Sequence, residues 1–427
     1  GDMGGTGEVV VSGAGSQWNN TQVRIEVGSV TVQNGAFVTS DSVIIDPAGS
    51  LLITGDNSEW NNTGDFRAGQ NFTVGDGANV SVGGAIFATL PEITGDGTIS
   101  AKGIVLDGTL NLSDTASLQQ TLSFGTGGSL QIDIDGTAAL GAGFRGAGEV
   151  TISNGVEVVS TGGVIGVQDG SSGVMNVSGA GTTWTNQASL SIGGTNSASS
   201  QGILNIENGS AVHVEALTRL YSGGTLNVLS GSTFSTSNLD IQQGEFNLSH
   251  GTVTVGNHIS GNLTIGELGL LTGSPTLSGN LINEGTLSPG NSPGMISISG
   301  NYTHGSTASL MMEIGGLIPG TDHDQLSVGG TFAINGGTLQ IAQWNDFMPS
   351  LDDTFTLFTF TNLTGSFNTI DAFALSGSQQ WDFTNLYTEG TVTVIPEPAT
   401  IILFSLVGLS ACITPLFRRL RRRKRRG

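Results

Sequence analysis

Residues 108–112 read Gly-Thr-Leu-Asn-Leu, a glycine followed by polar and apolar residues in strict alternation. Residues 128–132 (Gly-Ser-Leu-Gln-Ile) and 148–152 (Gly-Glu-Val-Thr-Ile) repeat the pattern at intervals of 20. Strict alternation predicts a β-strand with one buried face. Further copies follow at intervals of 17 to 22 residues, and they begin at Gly202, Gly224, Gly244, Gly261, Gly279 and Gly300.

A period near 20 residues with one glycine-led strand per unit is typical of a parallel β-helix, or β-solenoid. One coil cannot bury its narrow apolar face, whereas coils stacked about 4.8 Å apart bury it continuously. We therefore expect Leu110 and Leu112 to point inward, and Leu110, Leu130 and Val150 to form one inward column. Glycine is expected at the corners, where positive φ is needed. A β-sandwich or propeller is the rival architecture and would need more closely spaced hairpin turns.

A longer motif overlies the short one. Residues 11–20 (Val-Ser-Gly-Ala-Gly-Ser-Gln-Trp-Asn-Asn) recur with changes at 53–62 and 177–186, which places Trp18, Trp60 and Trp184 at equivalent positions. These copies resemble the Gly-rich passenger repeats of autotransporter-like surface proteins. The tryptophans would either cover the seam between coils or bind sugar rings, and we favour packing because aromatic burial alone explains the repeat.

The composition of the sequence changes towards the C-terminus, and this change predicts four segments. Residues 1–284 carry the Gly-rich repeats, and residues 285–344 resemble the C-terminal coils of autotransporter-like passengers. Residues 345–394 are richer in Phe and poorer in Gly, which predicts a β cap that closes the end of the stack and a linker. Residues 395–427 form a separate tail.

The tail combines three ordered features. Pro396, Glu397 and Pro398 precede an uncharged apolar run at 399–417. As a helix this run is about 28 Å long, close to the ~30 Å hydrocarbon core of a bilayer, so it predicts one transmembrane helix. A basic cluster follows and is expected to stay on the cytoplasmic side as an anchor: Arg418, Arg419, Arg421, Arg422, Arg423, Lys424, Arg425 and Arg426.

This order of features resembles the PEP-CTERM sorting signal of bacterial exported proteins. The resemblance implies that an exosortase-like membrane protease recognises Pro396, Glu397 and Pro398 and removes the tail. The protein would be anchored in the inner membrane through 399–417 before processing, and would then be at the cell surface or extracellular. The two prolines keep the motif extended and outside the following helix, so that a protease can reach it. The chain begins Gly-Asp-Met without a signal peptide, so we expect that one has been removed or that the sequence is a fragment.

The charge distribution excludes nucleic acid as a partner. Eight of the 13 Lys and Arg residues lie in the basic cluster, which leaves five against 34 Asp and Glu, a formal charge of −29 for residues 1–417. Such a surface repels nucleic acid and favours solubility and divalent cations.

Two pairs of aspartates are candidate contacts for a ligand or a cation. Asp133 and Asp135 share one strand face, with their carboxylates about 7 Å apart, so they would bridge Ca²⁺ or act as an acid and base pair. Asp322 and Asp324 flank His323 and would bind a cation or, as we favour, form a solvated turn. The sequence lacks the glycine-aspartate repeat that binds calcium in some β-solenoids, which argues against Ca²⁺ binding by these aspartates. We expect no metal centre and no other cofactor.

Catalytic residues are not expected. Residues 290–294 (Gly-Asn-Ser-Pro-Gly) fit the nucleophile pattern G-x-S-x-G, but Pro293 lacks the N–H that the oxyanion hole needs, so a turn is predicted. Before the tail we expect no carboxylate cluster beside any basic residue, and Lys102 near Asp107 is the strongest candidate for catalysis. The basic residues concerned are Arg24, Arg67, Lys102, Arg145 and Arg219.

These observations predict an all-β, parallel β-solenoid with coils of about 20 residues, a C-terminal β cap and one transmembrane helix. The predicted function is that of a non-catalytic surface or extracellular-matrix protein whose partners are an exosortase-like protease and exopolysaccharide or other matrix components. A polysaccharide lyase or glycosidase and a carbohydrate-binding adhesin remain as alternatives. Titratable groups that converge in one groove would favour an enzyme, and outer faces of only Asn, Thr and Ser would favour an adhesin.

Overall fold

A computed structural model describes residues 6–194, 200–229, 231–242, 244–290 and 293–397. This part of the chain is all-β, with a long parallel sheet of many strands. Its first strands are β1 (Gly7–Ser12), β2 (Gln17–Asn19), β3 (Gln22–Gln33), β4 (Phe37–Ser40), β5 (Ser42–Thr54), β6 (Glu59–Asn62), β7 (Phe66–Arg67), β8 (Asn71–Gly75), β9 (Asn79–Thr89) and β10 (Ile93–Thr94). Two 3₁₀ helices are short, at Leu90–Glu92 and Thr115–Leu118.

A junction and a second run of strands follow. The junction strands are β11 (Thr98–Leu112), β12 (Gln119–Phe124) and β13 (Gly128–Asp133). The second run comprises β14 (Leu140–Ala142), β15 (Ala147–Ile152), β16 (Glu157–Ser160), β17 (Gly163–Ile165), β18 (Ser172–Ser178), β19 (Thr183–Asn186), β20 (Leu190–Ile192), β21 (Gln201–Glu207), β22 (Ala211–Leu220), β23 (Gly224–Leu229), β24 (Thr233–Ile241), β25 (Glu245–Ser249), β26 (Thr252–Ser260), β27 (Leu263–Ile265), β28 (Leu270–Gly273), β29 (Thr276–Ser278), β30 (Leu281–Asn283), β31 (Thr286–Pro289), β32 (Met295–Ile298), β33 (Tyr302–His304), β34 (Ser309–Ile314), β35 (Gln325–Ile334) and β36 (Thr338–Gln343).

The last strands are β37 (Thr354–Thr356), β38 (Phe358–Gly365), β39 (Thr369–Ala372), β40 (Gln379–Asp382) and β41 (Thr391–Pro396). Parallel pairing continues through β38 and β39, inside the segment predicted as the cap. Beyond them β37, β41 and β40 form a small antiparallel sheet. Its side chains contribute to a cluster of aromatic contacts that includes Phe355, Phe373 and Trp381.

Most strands of the large sheet pair in parallel with a strand one coil later. Gly7 pairs with Gly28, which pairs in turn with Gly49, so one coil spans 21 residues here. One run of pairs, which we call the long ladder, passes without a break through β3, β5, β7, β9, β11, β14, β17, β20, β22, β24, β26, β29, β32, β35 and β38. This pairing is consistent with the predicted β-solenoid.

Alternation places the apolar side chains in one continuous core. Leu110 and Leu112 are 1% and 0% exposed, which confirms their predicted inward orientation. The same face of later strands buries Leu204, Ile206 and Leu226 completely. Each fully buried Leu or Ile side chain contributes about 1.5–3 kcal/mol to the folding free energy, so many similar contributions along the stack stabilise it together.

The prediction that Leu110, Leu130 and Val150 form one column is wrong for Leu130. Leu110 pairs directly with Val150, 40 residues later. Leu130 is also buried, but it lies beside Ile99 on another ladder, and β12 turns back to pair antiparallel with its strand. Residues 113–127 therefore insert a hairpin, and the 20-residue spacing of the glycines does not reveal it.

Positive φ is confirmed at Gly108 and Gly261, with values of +120° and +100°, but other glycines that begin strands are needed for a different reason. Gly202 and Gly224 pair in register, and neither has positive φ. A Cβ atom would lie 2.3 Å from the carbonyl oxygen of Ile165 at Gly202, and 2.3 Å from that of Ile192 at Gly224. The backbones of adjacent coils approach too closely at these corners for any side chain.

The tryptophans of the longer motif pack inside, as predicted. Trp60 and Trp184 are fully buried, and their Nε1–H groups donate to Ser40 Oγ at 2.8 Å and Ser160 Oγ at 2.9 Å. Trp18 is partly buried and its ring centre lies 6.3 Å from that of Trp60. Burial with a satisfied indole N–H accounts for the repeat, and sugar binding by Trp60 or Trp184 is excluded.

Within the described ranges, no helix has the length and apolar character needed to cross a bilayer. The predicted span at 399–417, the basic cluster after it and Pro398 lie outside the described residues.

Candidate functional site

The hairpin of β12 and β13 creates a polar cleft where the first run of coils meets the second. Within the described residues, β12 is the only strand of the large sheet that pairs antiparallel with its neighbouring strand. Asp114 and Ser117 start the hairpin, because their side chains cap a 3₁₀ turn that redirects the chain. The cleft has a volume of about 450 Å³, and its polar lining includes Ser81, Ser100, Gln119 and Gln131.

Three charged side chains converge at the mouth of this cleft. Lys102 Nζ lies 2.5 Å from Asp133 Oδ2 and 3.0 Å from Asp135 Oδ2. Both carboxylates therefore contact the same cation, although Asp135 lies after the end of β13 at Asp133 and not on the strand face predicted from the spacing. They do not face each other across open solvent, however, because Lys102 from the preceding coil stands between them.

The placement of Lys102 corrects two expectations. Lys102 is not paired with Asp107, whose carboxylate is buried and accepts hydrogen bonds from the backbone N–H groups of Phe144 and Arg145 at 2.7 and 3.2 Å. A carboxylate cluster does accompany Lys102, against the expectation that none accompanies any basic residue. The partners come from strands 31 residues or more apart in sequence, which adjacent coils bring together.

All three groups are held in their charged forms. The hydrogen bonds that Lys102 donates to Asp133 and Asp135 raise the pKa of Lys102. The hydrogen bonds of Lys102 and Gln119 lower the pKa of Asp133. Burial alone would raise the pKa of Asp135, but the hydrogen bonds of Thr137 and Lys102 outweigh it and lower that pKa. A general acid or base near neutral pH needs the opposite shifts, so this site is better suited to binding than to proton transfer.

Three further basic residues also have carboxylate partners on neighbouring coils. Arg24 pairs with Asp46 at 2.9 Å, Arg219 pairs with Asp240 at 2.9 Å, and Arg145 lies 3.6 Å from Glu92. The expectation that no carboxylate cluster accompanies a basic residue is therefore also wrong for Arg24, which lies 3.3 Å from Glu26 as well, whereas Arg145 and Arg219 each have a single carboxylate partner. Linear spacing could not show these pairs, because coil length varies along the chain.

Asp322 and Asp324 lie in a different environment from the one predicted. The interpretation as a solvated turn is wrong for His323 and Asp324, which are fully buried. Asp324 accepts backbone hydrogen bonds from Gly294 at 2.7 Å and Glu313 at 2.8 Å, so both its oxygens are occupied. Burial raises the pKa of Asp324 to about 7. Asp324 ties together neighbouring coils, and no group of three or more His, Cys, Asp and Glu in the described chain is arranged to hold a metal ion.

The outer face beyond the cleft carries a ladder of side-chain amides. Asn205 Nδ2 donates to Asn176 Oδ1 at 2.8 Å, Asn227 donates to Asn205 at 2.7 Å, and Asn247 donates to Asn227 at 2.9 Å. The structure thus has both features that were to separate an enzyme from an adhesin, namely a groove of titratable groups and an outer face rich in Asn.

The described part of the predicted sorting motif is extended and exposed. Pro396 is the last residue of β41, and Glu397 N donates to the carbonyl oxygen of Ser378 at 2.9 Å. The predicted motif therefore begins within the last strand of the small antiparallel sheet.

Sequence reasoning missed Gln119, Gln131 and Ser100 as lining residues of the cleft. The polar run at 119–121 in an otherwise alternating region was the only available indication. No protein-family model matches this chain, and no curated protein sequence is a significant match to it. The resemblance to exported surface proteins rests on the sequence motifs alone.

Proposed function

We propose that the chain is an exported, non-catalytic β-solenoid of the bacterial cell surface or extracellular matrix that binds polysaccharide. The observation that carries this proposal is the hairpin cleft, where amide, hydroxyl and charged groups line an open space of about 450 Å³. Lys102, Asp133 and Asp135 are ionised and hydrogen-bonded to one another, so they present fixed donors and acceptors to hydroxyl groups. Exopolysaccharide or another matrix component is the expected partner.

Sorting is the second part of the proposal. An exosortase-like protease would recognise Pro396, Glu397 and Pro398, with residues 399–417 holding the precursor in the membrane. The exposed, extended chain at Pro396 and Glu397 supports this proposal, because proteases bind extended backbone. Intact-mass measurement of surface-released protein tests it: we expect a chain that ends near Pro398. A released chain that still ends in Gly427 would refute processing.

A polysaccharide-active lyase or glycosidase is the second candidate. One observation favours it, since Lys102 and Asp133 line the cleft and Asp135 contacts the same Lys102 Nζ. The raised pKa of Lys102 makes it a poor base at neutral pH, and the lowered pKa values of the aspartates make them poor acids. Ca²⁺ binding by Asp133 and Asp135 would require Lys102 to leave its place between them.

The experiment that separates binding from catalysis uses the full chain in neutral detergent. Acidic and neutral polysaccharides are incubated with it, with and without Ca²⁺, and both retention of the protein and chain cleavage are measured. We expect retention without cleavage and a loss of retention in Lys102→Met and Asp135→Asn. Asp382→Asn is the matched control, because Asp382 accepts hydrogen bonds from Thr384 as Asp135 does from Thr137 but lies outside the cleft. Cleavage that disappears in Lys102→Met would establish the enzyme instead.

A further inference from the structure

A second groove lies on the outer side of the long ladder and collects most of the positive charge that precedes the tail. Arg24, Arg67 and Arg145 line it together with Asp46. Its volume is about 340 Å³, which falls in the ~300–1,000 Å³ range of small-molecule sites. Only five basic residues precede the basic cluster of the tail, against 34 acidic ones, and three of the five meet in this one groove.

The pairing of the strands explains how the arginines meet. Arg24 pairs in register with Ile44, and Ile44 pairs with Arg67, so the two guanidinium groups start two coils apart in one column, about 10 Å along the stack. Arg145 reaches the groove from a loop and donates from Nη2 to the carbonyl oxygen of Ile45 at 3.1 Å. Three distant parts of the sequence are thereby brought to one surface.

Two of the three arginines have their charge balanced within the protein. Arg24 donates to Asp46 at 2.9 Å and lies 3.3 Å from Glu26. Arg145 is largely buried, with Glu92 at 3.6 Å as its carboxylate partner. Neither of these residues leaves a positive charge unbalanced.

Arg67 is different, because no carboxylate lies within ion-pair distance of it in the described part of the chain. Its guanidinium carbon lies 4.8 Å from the ring centre of Phe87, which supports the planar group from one side. Its N–H groups make no hydrogen bond to the described residues. Arg67 thus presents a fixed planar cation with unused donors to a groove in a strongly acidic protein.

We propose that this groove binds the carboxylate of an acidic saccharide, with Arg67 as the residue that binds the anion. Among the described residues, Arg67 is the one arginine of the groove with no carboxylate within ion-pair distance, and a ligand carboxylate would take that place. Ile44 and Pro47 supply apolar surface beside Arg67, and Gln168 supplies an amide. A sugar acid has a carboxylate, hydroxyl groups and apolar ring faces, and it therefore matches this lining better than a bare inorganic anion. This proposal goes beyond the polysaccharide binding assigned to the Lys102 cleft, because it concerns a separate groove.

Calorimetric titration of the full chain in neutral detergent tests the proposal. The probe is a trisaccharide of galacturonate, and the matched neutral ligand is its methyl ester. We expect the acid to bind and the ester to bind at least tenfold more weakly. Arg67→Gln should weaken binding of the acid at least tenfold, and Arg67→Lys should weaken it less, because lysine keeps the charge but loses the planar fork.

Arg219→Gln is the matched control. Arg219 lies in the same column of the long ladder but outside the groove, and it pairs with Asp240. We expect this variant to bind the acid within twofold of the original chain. If circular dichroism shows that Arg67→Gln has not folded, the affinity of Arg67→Lys for the acid is compared with that of Arg219→Gln instead.

Several results would overturn the inference. These are no binding of the acid, equal binding of acid and ester, or an equal loss in Arg67→Gln and Arg219→Gln. Displacement of the trisaccharide by sulfate or acetate at equal concentration would show a general anion site rather than a saccharide site. None of these results bears on the Lys102 cleft, whereas cleavage of the trisaccharide would contradict the non-catalytic function and leave the role of Arg67 intact.

Discussion

The glycines at the coil corners provide a sharp test of how the stack is held together. In Gly202→Ala the new Cβ atom would lie 2.3 Å from the carbonyl oxygen of Ile165 and 2.4 Å from the backbone nitrogen of Gly193. The first distance is more than about 1 Å shorter than an ordinary contact of ~3.5 Å. Both contacting atoms belong to the backbone of neighbouring segments, so no side chain can rotate away. We expect a loss of at least about 3 kcal/mol, the upper end of the range for overpacking.

Gly170→Ala is the matched control for this variant. Gly170 has a φ of +79°, and no atom lies within 4 Å of the place that a Cβ would take there, so the substitution meets strain but no overlap. A left-handed conformation costs an alanine about 1 kcal/mol. Urea unfolding followed by far-UV circular dichroism compares the midpoints of the two variants, since a repeat array need not unfold in one step. A Gly202→Ala variant no less stable than Gly170→Ala would refute the close-approach argument.

Two further changes probe buried polar contacts. Trp184→Phe removes the donor to Ser160 and should lower the free energy of unfolding in urea by about 1–3 kcal/mol, because the hydroxyl stays buried. Trp18→Phe is the control and should lower it less, because Trp18 is half-buried. Equal losses in the two variants would contradict the role of the buried hydrogen bond. Asp324 has a folded pKa of about 7, above its unfolded value of 3.8, so its stabilising contribution is complete below pH 3.8 and is lost as pH rises through 7. The low folded pKa of His304, about 4 because of burial, acts in the opposite direction between pH 4 and 6.5. His304 is present in both proteins, so the difference in stability between the original chain and Asp324→Asn isolates the aspartate. From pH 5 to 7 the free energy of unfolding of the original chain should fall by about 2 kcal/mol relative to that of the variant. Parallel profiles of unfolding free energy against pH would refute the raised pKa of Asp324.

The alternation of residues was sufficient to predict the strands and their buried faces. Leu110 and Leu112 have an inward orientation because a strand places every second side chain on one face, a rule that holds whatever the strand pairs with. The pairing partner is a long-range property. The copy at Gly128 looks like its neighbours in sequence, yet the turn at Asp114 and Ser117 sends it to a different ladder.

The candidate sites could not be predicted because coil length varies. Along the long ladder, one step joins Arg24 to Ile44, 20 residues later, and another joins Leu106 to Ala142, 36 residues later. A constant period therefore loses the register after a few coils, and charged partners on adjacent coils appear unrelated in sequence.

The same variation explains where binding chemistry is found. In a regular coil every outward side chain faces an equivalent neighbour one coil away, and such columns form ladders like that of Asn205, which satisfy their own hydrogen bonds. An inserted hairpin or loop interrupts such a column, and the hydrogen-bond donors beside it have no equivalent side chain on the next coil. The Lys102 cleft lies beside the β12 hairpin, and the Arg67 groove lies beside the loop that carries Arg145. A variant of this chain that deletes residues 113–127 should therefore lose the cleft while the regular coils keep their pairing.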